Sequence, residues 1–324
     1  MATKTSLLGL TKPAYTEAAD IAVLNTNFDL IDKAVGNGRY VRQELDNSWF
    51  VDPINQRGHT GTYEGVENYT TFVLDRWKTW STGCSYTIAS TGLQITNKNT
   101  SSTAGPWEVL PNPERMKGKA YTLAVGYGGG NVVCGSVTVP SGSVTADNYV
   151  TAVNAAGAIP GLRLVIYAKD QRVEFQIMVV AGQTITVEWA ALYEGAYTAE
   201  TLPAYVYKGY AAELAECQRY YRQSYTGDCS AYGCLSFIAP TIGQSVPAVH
   251  WDMGMRTAPT VTIKSWGDVK ENAVRDWAAS KDIAISGVMY PDGHGFSVST
   301  YNDGSMVLTP GKVYAFHYTA SADL

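Results

Sequence analysis

The stretch LVIYAKDQRVEFQIMVV, residues 164–180, decides the fold class. Val173, Phe175, Ile177 and Val179 alternate with Glu174, Gln176 and Met178, a period of two that puts the apolar set on one face of a β-strand. Lys169, Asp170 and Gln171 interrupt the apolar pattern and read as the turn of a hairpin. In such a strand Glu174 is expected to face solvent, and so is Glu188 in the later run TITVEWAALYEG. Outward from this hairpin, YTTFVLDRWKTW, YTLAVGYG and NVVCGSVTV show the same short β-branched and aromatic runs, separated by Gly, Asn, Ser and Pro clusters. After residue 230 the runs GCLSFIAP, APTVTIKSW, DIAISGVMY, HGFSVSTYN and KVYAFHYTASADL continue the pattern, with YPDGHG and YNDGS as turns.

Two segments change period. In GYAAELAECQRYYRQ, residues 209–223, Leu214, Cys217 and Tyr221 share a helical face and predict a short helix between two β-domains. Near the N-terminus a helix is expected after Pro13, with Thr16 as cap, Glu17 and Asp20 in the first turn, and Gly36, Asn37 and Gly38 as its stop. Ile21, Leu24, Phe28, Ile31 and Val35 recur at steps of three and four along a narrow heptad stripe. The stripe either packs on the protein's own sheet or forms a parallel bundle between identical chains. The terminal position and the glycine-rich exit favour the bundle. The expected fold is therefore mainly β: a short N-terminal α-helix, then two antiparallel, jelly-roll-like β-sandwiches joined by a short helix. The expected divisions are 1–45, 46–208 and 209–324.

Composition narrows the function. The 324 residues are 45% hydrophobic and 16% charged, against about 25% charged in an average soluble domain. The net charge of −5 and the absence of a Lys/Arg block argue against nucleic acid as a partner. No apolar run approaches a membrane span of about 20 residues, and the opening MATKTSLLGLTKP lacks the features of a secretion signal, so cytoplasmic synthesis is expected. Cys84, Cys134, Cys217, Cys229 and Cys234 read as mostly free thiols, with one Cys229–Cys234 bridge open. They complete no zinc pattern, and no metal or cofactor is expected.

No residue set singles out catalysis. The four histidines lie in separate segments, His317 and His250 in strand-like runs, and no carboxylate pair stands out for glycan hydrolysis. Aromatic residues carry more signal, because the C–H faces of sugars stack on Trp and Tyr while polar neighbours bind hydroxyls. Trp266, Trp277, Tyr290 and Tyr301 fall in or beside loops with Asp268, Asp276, Asp292, Asn302 and Asp303 close by, and His294 sits in the YPDGHG loop. Trp266, Trp277, Tyr290, Asp292, His294, Tyr301 and Asp303 are the distal glycan-binding candidates. In the first β-domain Trp107, after a polar Asn, Thr and Ser stretch, is expected to be exposed and joins them, whereas Trp77 reads as core beside a paired Arg76. Trp80 and Trp189 compete for the same role.

The N-terminal stretch, through Leu8, Gly9, Leu10, Asn25, Asn27, Phe28, Asp29, Ile31 and Asp32, resembles the opening of bacteriophage tail proteins. Asn47, Phe50, Pro53, Asn55, Gln56, Arg57 and Gly58, followed by Asp75, Arg76 and Trp77, resemble the start of the β-sandwich in phage tail fibres and receptor-binding proteins. ELAECQRYYRQ and the FHYTASADL end are similar to later parts of the same proteins. The resemblance implies a tail-tip protein of the virion, a homotrimer attached by residues such as Ile21, Leu24, Phe28, Ile31 and Val35 to other tail or baseplate proteins, and binding a host cell-surface glycan without enzymatic activity. A structural tail component that binds no glycan and a glycan-degrading tail enzyme are the alternatives.

Overall fold

Antiparallel pairing organises most of the chain, because β-branched and aromatic side chains suit a pleated surface. The computed structural model describes residues 3–4, 10–12, 21–38, 41, 43–64, 71–79, 83–151, 161–225, 233–243, 245–266 and 270–323. The strand pair β1 (Thr3–Lys4) and β2 (Thr11–Lys12) precedes helix α1 (Ile21–Gly38). The Thr11 N–H donates to Asn27 Oδ1 at 2.8 Å and Asn27 Nδ2 donates to the Thr11 carbonyl at 2.9 Å, tying β2 to the helix. The helix does not stop at Val35 but runs through Gly36, Asn37 and Gly38; glycine weakens a helix by about 1 kcal/mol against Ala without forbidding it. Thr16, Glu17 and Asp20 lie outside the described residues. Ile21 and Phe28 are 73% and 63% exposed, and Leu24 and Ile31 are exposed too, so this part of the stripe does not pack on a sheet.

The next twelve strands are β3 (Thr62–Glu64), β4 (Thr71–Phe72), β5 (Trp77–Thr79), β6 (Cys84–Ala89), β7 (Gly92–Asn97), β8 (Pro106–Val109), β9 (Ala120–Tyr127), β10 (Asn131–Thr138), β11 (Asn148–Thr151), β12 (Gly161–Ile166), β13 (Val173–Met178) and β14 (Thr184–Glu194). They form two six-stranded antiparallel sheets, β10-β9-β14-β7-β6-β3 and β11-β12-β13-β8-β5-β4. Tyr86, Leu123 and Leu192 of the first sheet meet Trp77, Leu164 and Phe175 of the second in one apolar cluster. Each such side chain contributes about 1.5–3 kcal/mol by leaving water. Trp77 lies edge-on to Phe50 and Phe175, with ring centroids at 5.0 and 6.0 Å. The run YTTFVLDRWKTW divides at a tight turn: Trp77 N–H donates to the Leu74 carbonyl, and Arg76 takes a positive φ of 74°.

The strand β13 departs from the expected pattern. Val173, Phe175 and Ile177 enter the core, but Glu174, Gln176 and Met178 are buried as well. Glu174 is not solvent-facing: Tyr167 Oη and Gln176 Nε2 each donate to its Oε2 at 3.0 Å, and Arg172 lies 3.2 Å from Oε1. Burial pushes its carboxyl pKa up. Glu188 is half-buried, and its Oε1 accepts the Gly129 N–H at 2.6 Å.

Helix α2 (Tyr210–Cys217) leads into β15 (Tyr221–Gln223), β16 (Leu235–Ile238), β17 (Ser245–His250), β18 (Thr260–Lys264), β19 (Ala273–Asp276), β20 (Lys281–Ala284), β21 (Val288–Asp292), β22 (Gly295–Ser299), β23 (Tyr301–Asn302), β24 (Ser305–Met306) and β25 (Val313–Ser321). The expected helical face is only partly realised, because Tyr221 has already entered a strand and Leu214 is half-buried. The buried helix residues are Cys217 and Glu213, whose Oε2 accepts the Asn47 N–H at 2.7 Å. Strand β25 is the spine of this region, pairing with β15, β16, β18 and β19, while β17, β22 and β21 form a separate three-stranded sheet. Trp251, Ile263, Phe296, Tyr314 and Phe316 build a second apolar cluster. His317 is a buried residue of β25.

The residues that carry the tail-fibre resemblance meet at one place. Asn47 Nδ2 donates to the carbonyls of Ile54 and Asp75, both at 2.8 Å. Gln56 Nε2 donates to the Tyr221 carbonyl at 3.0 Å. Arg76 pairs with Glu108 and Asp46, each at 3.2 Å, and lies over the Tyr220 ring. They are a structural joint between the first sandwich and the elements after α2. Cys84, Cys134, Cys217 and Cys234 are free thiols, and Cys229 lies outside the described residues.

Candidate functional site

The hairpin of β21 and β22 builds a groove of about 450 Å³ with β17 alongside it. Tyr290, Asp292 and His294 line it together with His250 and Ser297. Its shape follows from three local features. Asp292 Oδ1 accepts the N–H groups of His294 and Gly295 at 2.7 and 2.9 Å, closing the turn as an Asx motif. Gly295 is required where β22 meets β17, because a Cβ there would collide with the Val249 carbonyl. Pairing of β21 with β22 slips between Met289 and Asp292, and Tyr290 sits in that bulge with φ 53°. A positive φ at a tyrosine is strained, and here it presents the ring to solvent at 71% exposure.

The electrostatics suit an uncharged or hydroxyl-rich ligand. The N–H groups of His294, above all, and of Gly295 donate to the Asp292 carboxylate and hold it below its usual pKa, so it is an ionised acceptor at neutral pH. His250 and His294 line the same groove, and the His294 ring lies beside Gly254, where a Cβ would be 3.1 Å from Cε1. Stacking on Tyr290 and hydrogen bonding to Asp292 and the histidines is the chemistry of a sugar subsite.

Of the distal candidates, Tyr290, Asp292 and His294 come together. Trp266 and Trp277 form a different pair, with ring centroids 5.7 Å apart. Trp277 is 51% exposed, whereas Trp266 is half-buried under the Arg275 guanidinium, itself 3.0 Å from Asp282. Tyr301 is half-buried in the β23–β24 hairpin, whose turn takes positive φ at Asp303 and Gly304, the backbone of a type I′ turn. Asp303 is exposed there. Neither of these pairs lines the groove. Asp276 is held by Lys312 at 3.0 Å and by the Ala279 N–H, a structural role. Asp268 and Trp80 lie outside the described residues.

Trp107 is not exposed. It is 3% accessible, because Pro106 starts β8 and Trp107 pairs with Lys78 on one side and Gln176 on the other. His250 was legible only as a strand residue; its pairing with Gly295 across β17 and β22 brings it to the groove. A four-ring stack of Trp189, Tyr205, Trp49 and Tyr207, with centroids 5.1–5.7 Å apart, also escaped the sequence, since its members come from three distant segments. It lays residues 205–207 against the first sheet, and Tyr205 Oη is 3.0 Å from Ser48 Oγ.

Among the described residues no group of three His, Cys, Asp or Glu is arranged to hold a metal ion, and no helix is long and apolar enough to cross a membrane. Comparison with protein-family models, curated proteins and solved structures finds no match.

Proposed function

We propose that the chain is a non-enzymatic adhesion protein of a bacteriophage tail tip that binds a host cell-surface glycan through the groove of Tyr290, Asp292, His294 and His250. The carrying observation is that groove: a strained, solvent-facing tyrosine beside an ionised acceptor and two imidazoles. In this reading residues 1–45 attach the protein to other tail or baseplate proteins and assemble a homotrimer, residues 46–208 form a jelly-roll sandwich, and residues 209–324 contact the host. Long-range pairing of β7 with β14 and of β8 with β13, nested one inside the other, supports the jelly roll. The two apolar clusters support the division near residue 208. Three weak sites on one trimer, repeated around a virion, give the avidity that adhesion needs.

The test is glycan-array and host-cell binding by the intact protein and by Tyr290→Ala. The variant is expected to lose about tenfold in apparent affinity, the equivalent of roughly 1.4 kcal/mol per site. Undiminished cell adhesion by Tyr290→Ala, with its fold verified, would sink the groove as the receptor site. Turnover of a bound glycan would replace adhesion with the enzymatic alternative.

A further inference from the structure

Strand pairing sets His250, Gly295 and Asp292 in one row across β17, β22 and β21. Phe296 and Val298 of β22 turn inward to the second apolar cluster, so Gly295 and Ser297 face outward. Directly opposed residues of antiparallel strands share a face. His250 and Asp292 therefore stand on the outer face two strands apart, about 10 Å, and Gly295 puts no side chain between them. The groove thus has a floor of bare backbone, with an imidazole at one end, a carboxylate at the other and Tyr290 in the adjoining bulge.

Asp292 is the carboxylate lining this groove, and its two oxygens are used unequally. Oδ1 accepts both turn N–H groups, at 2.7 and 2.9 Å, while among the described residues none donates to Oδ2. No lysine or arginine lines the groove to answer the charge; the other titratable side chains there are Tyr290, His250 and His294. Tyr290 is 71% exposed, and the face of an aromatic ring attracts a cation. These features rank three kinds of saccharide. An acid-bearing sugar brings like charge to Oδ2. A neutral sugar offers hydroxyl donors but leaves the carboxylate's charge unmatched. A protonated amine brings three N–H donors and the opposite charge, and charge-assisted bonds are the stronger ones.

We propose that the groove selects an amine-bearing saccharide, a hexosamine with a free amino group, which docks its ammonium at Asp292 Oδ2 beside the Tyr290 ring. The inference rests on the groove being the receptor site and goes one step beyond it, to the charge of the ligand.

The experiment measures binding of the intact protein to the β-1,4 glucosamine trimer, to the same trimer N-acetylated, and to trigalacturonate, by calorimetry at about pH 7 and low salt. Acetylation removes the positive charge from the same sugar backbone, and trigalacturonate is the acidic control. The free amine is expected to bind about fivefold tighter than the acetylated trimer, with trigalacturonate weakest, and added NaCl should shrink the preference. Asp292→Asn keeps an Oδ1 that accepts the His294 and Gly295 N–H groups and loses only the charge. It should bring the ratio of the two trimer affinities from about five to about one. The proposal is overturned if the acetylated or the acidic probe binds as well as the free amine, if the free amine does not bind, or if Asp292→Asn keeps the preference. Those results leave the groove as receptor site wherever Tyr290→Ala still weakens host-cell adhesion. Undiminished adhesion by Tyr290→Ala removes the groove itself, and this proposal with it.

Discussion

Arg57 Nη2 lies 2.8 Å from a carboxylate oxygen of Asp323, joining residues 266 positions apart in the chain. The guanidinium is sandwiched between the rings of Phe72 and Tyr221, each 3.7 Å from its centre, and its Nε is 3.8 Å from Asp75. One side chain thus gathers the loop after Phe50, strand β4, strand β15 and the segment that follows β25. Its two carboxylate neighbours are almost out of water, so the arginine offsets charge that solvent cannot.

Arg57→Ala should therefore cost more than a surface ion pair. Removing one partner of a buried pair leaves the other uncompensated, at about 3–5 kcal/mol. Urea denaturation would show the loss, and Arg57→Lys should recover only part of it, because ammonium neither forks nor stacks as guanidinium does. A loss below about 0.5 kcal/mol, the scale of exposed pairs, would show the joint to be incidental.

The same joint predicts a pH response. Burial raises Asp75 to about 6 from an ordinary 3.8, against the opposing pull of Arg57. Between those values the folded chain holds a proton that the unfolded chain has released. Stability from this group is therefore full below the unfolded value and is lost as pH rises through about 6, a swing of roughly 3 kcal/mol. Burial also raises Glu108, Glu174, Glu213 and Glu216, which act in the same direction. Melting temperature should be higher near pH 5 than near pH 7.5, and Asp75→Asn should flatten part of that slope. A melting temperature that rises steadily with pH would contradict the burial of these carboxylates.

Gly254→Ala tests the groove without touching a candidate ligand contact. The added methyl would stand 3.1 Å from His294 Cε1, so the ring must shift by a few tenths of an ångström. Glycan binding should fall several-fold, because a misplaced polar group loses its hydrogen bond, while the melting temperature changes little. Equal binding by the variant would remove His294 from the proposed site.

These sites differ in how far the sequence shows them. Strands such as β13 and β14 were legible from alternation, since period two is a property of neighbouring residues. The burial of both faces of β13 was not, because Glu174 and Gln176 are sheltered by partners that strand pairing brings near, Tyr167 and Trp107. Trp107 follows a polar run and reads as exposed, yet its strand lies between β5 and β13. Asn47, Gln56, Arg57 and Asp75 were legible as a pattern and not as a joint. Within the groove, Tyr290, Asp292 and His294 share one turn-rich segment and were found together, while His250 entered only through the pairing of β17 with β22.

The N-terminal helix yields the prediction on assembly. Its 18 residues are marginal as an isolated helix, and Ile21, Leu24, Phe28 and Ile31 expose their apolar sides along one stripe. Association of identical helices would remove that stripe from water at about 25 cal/mol per Å², with the knobs of one helix seated between residues of the next. Sedimentation equilibrium should find a trimer for the intact chain and monomers for Phe28→Glu, in which a charge would have to enter the seam. If the Phe28→Glu trimer persists, the β-sheets hold the subunits together and Trp277, with the other exposed aromatics, becomes an interface residue. A monomeric parent would remove both the bundle and the avidity that the proposed adhesion through three weak sites requires.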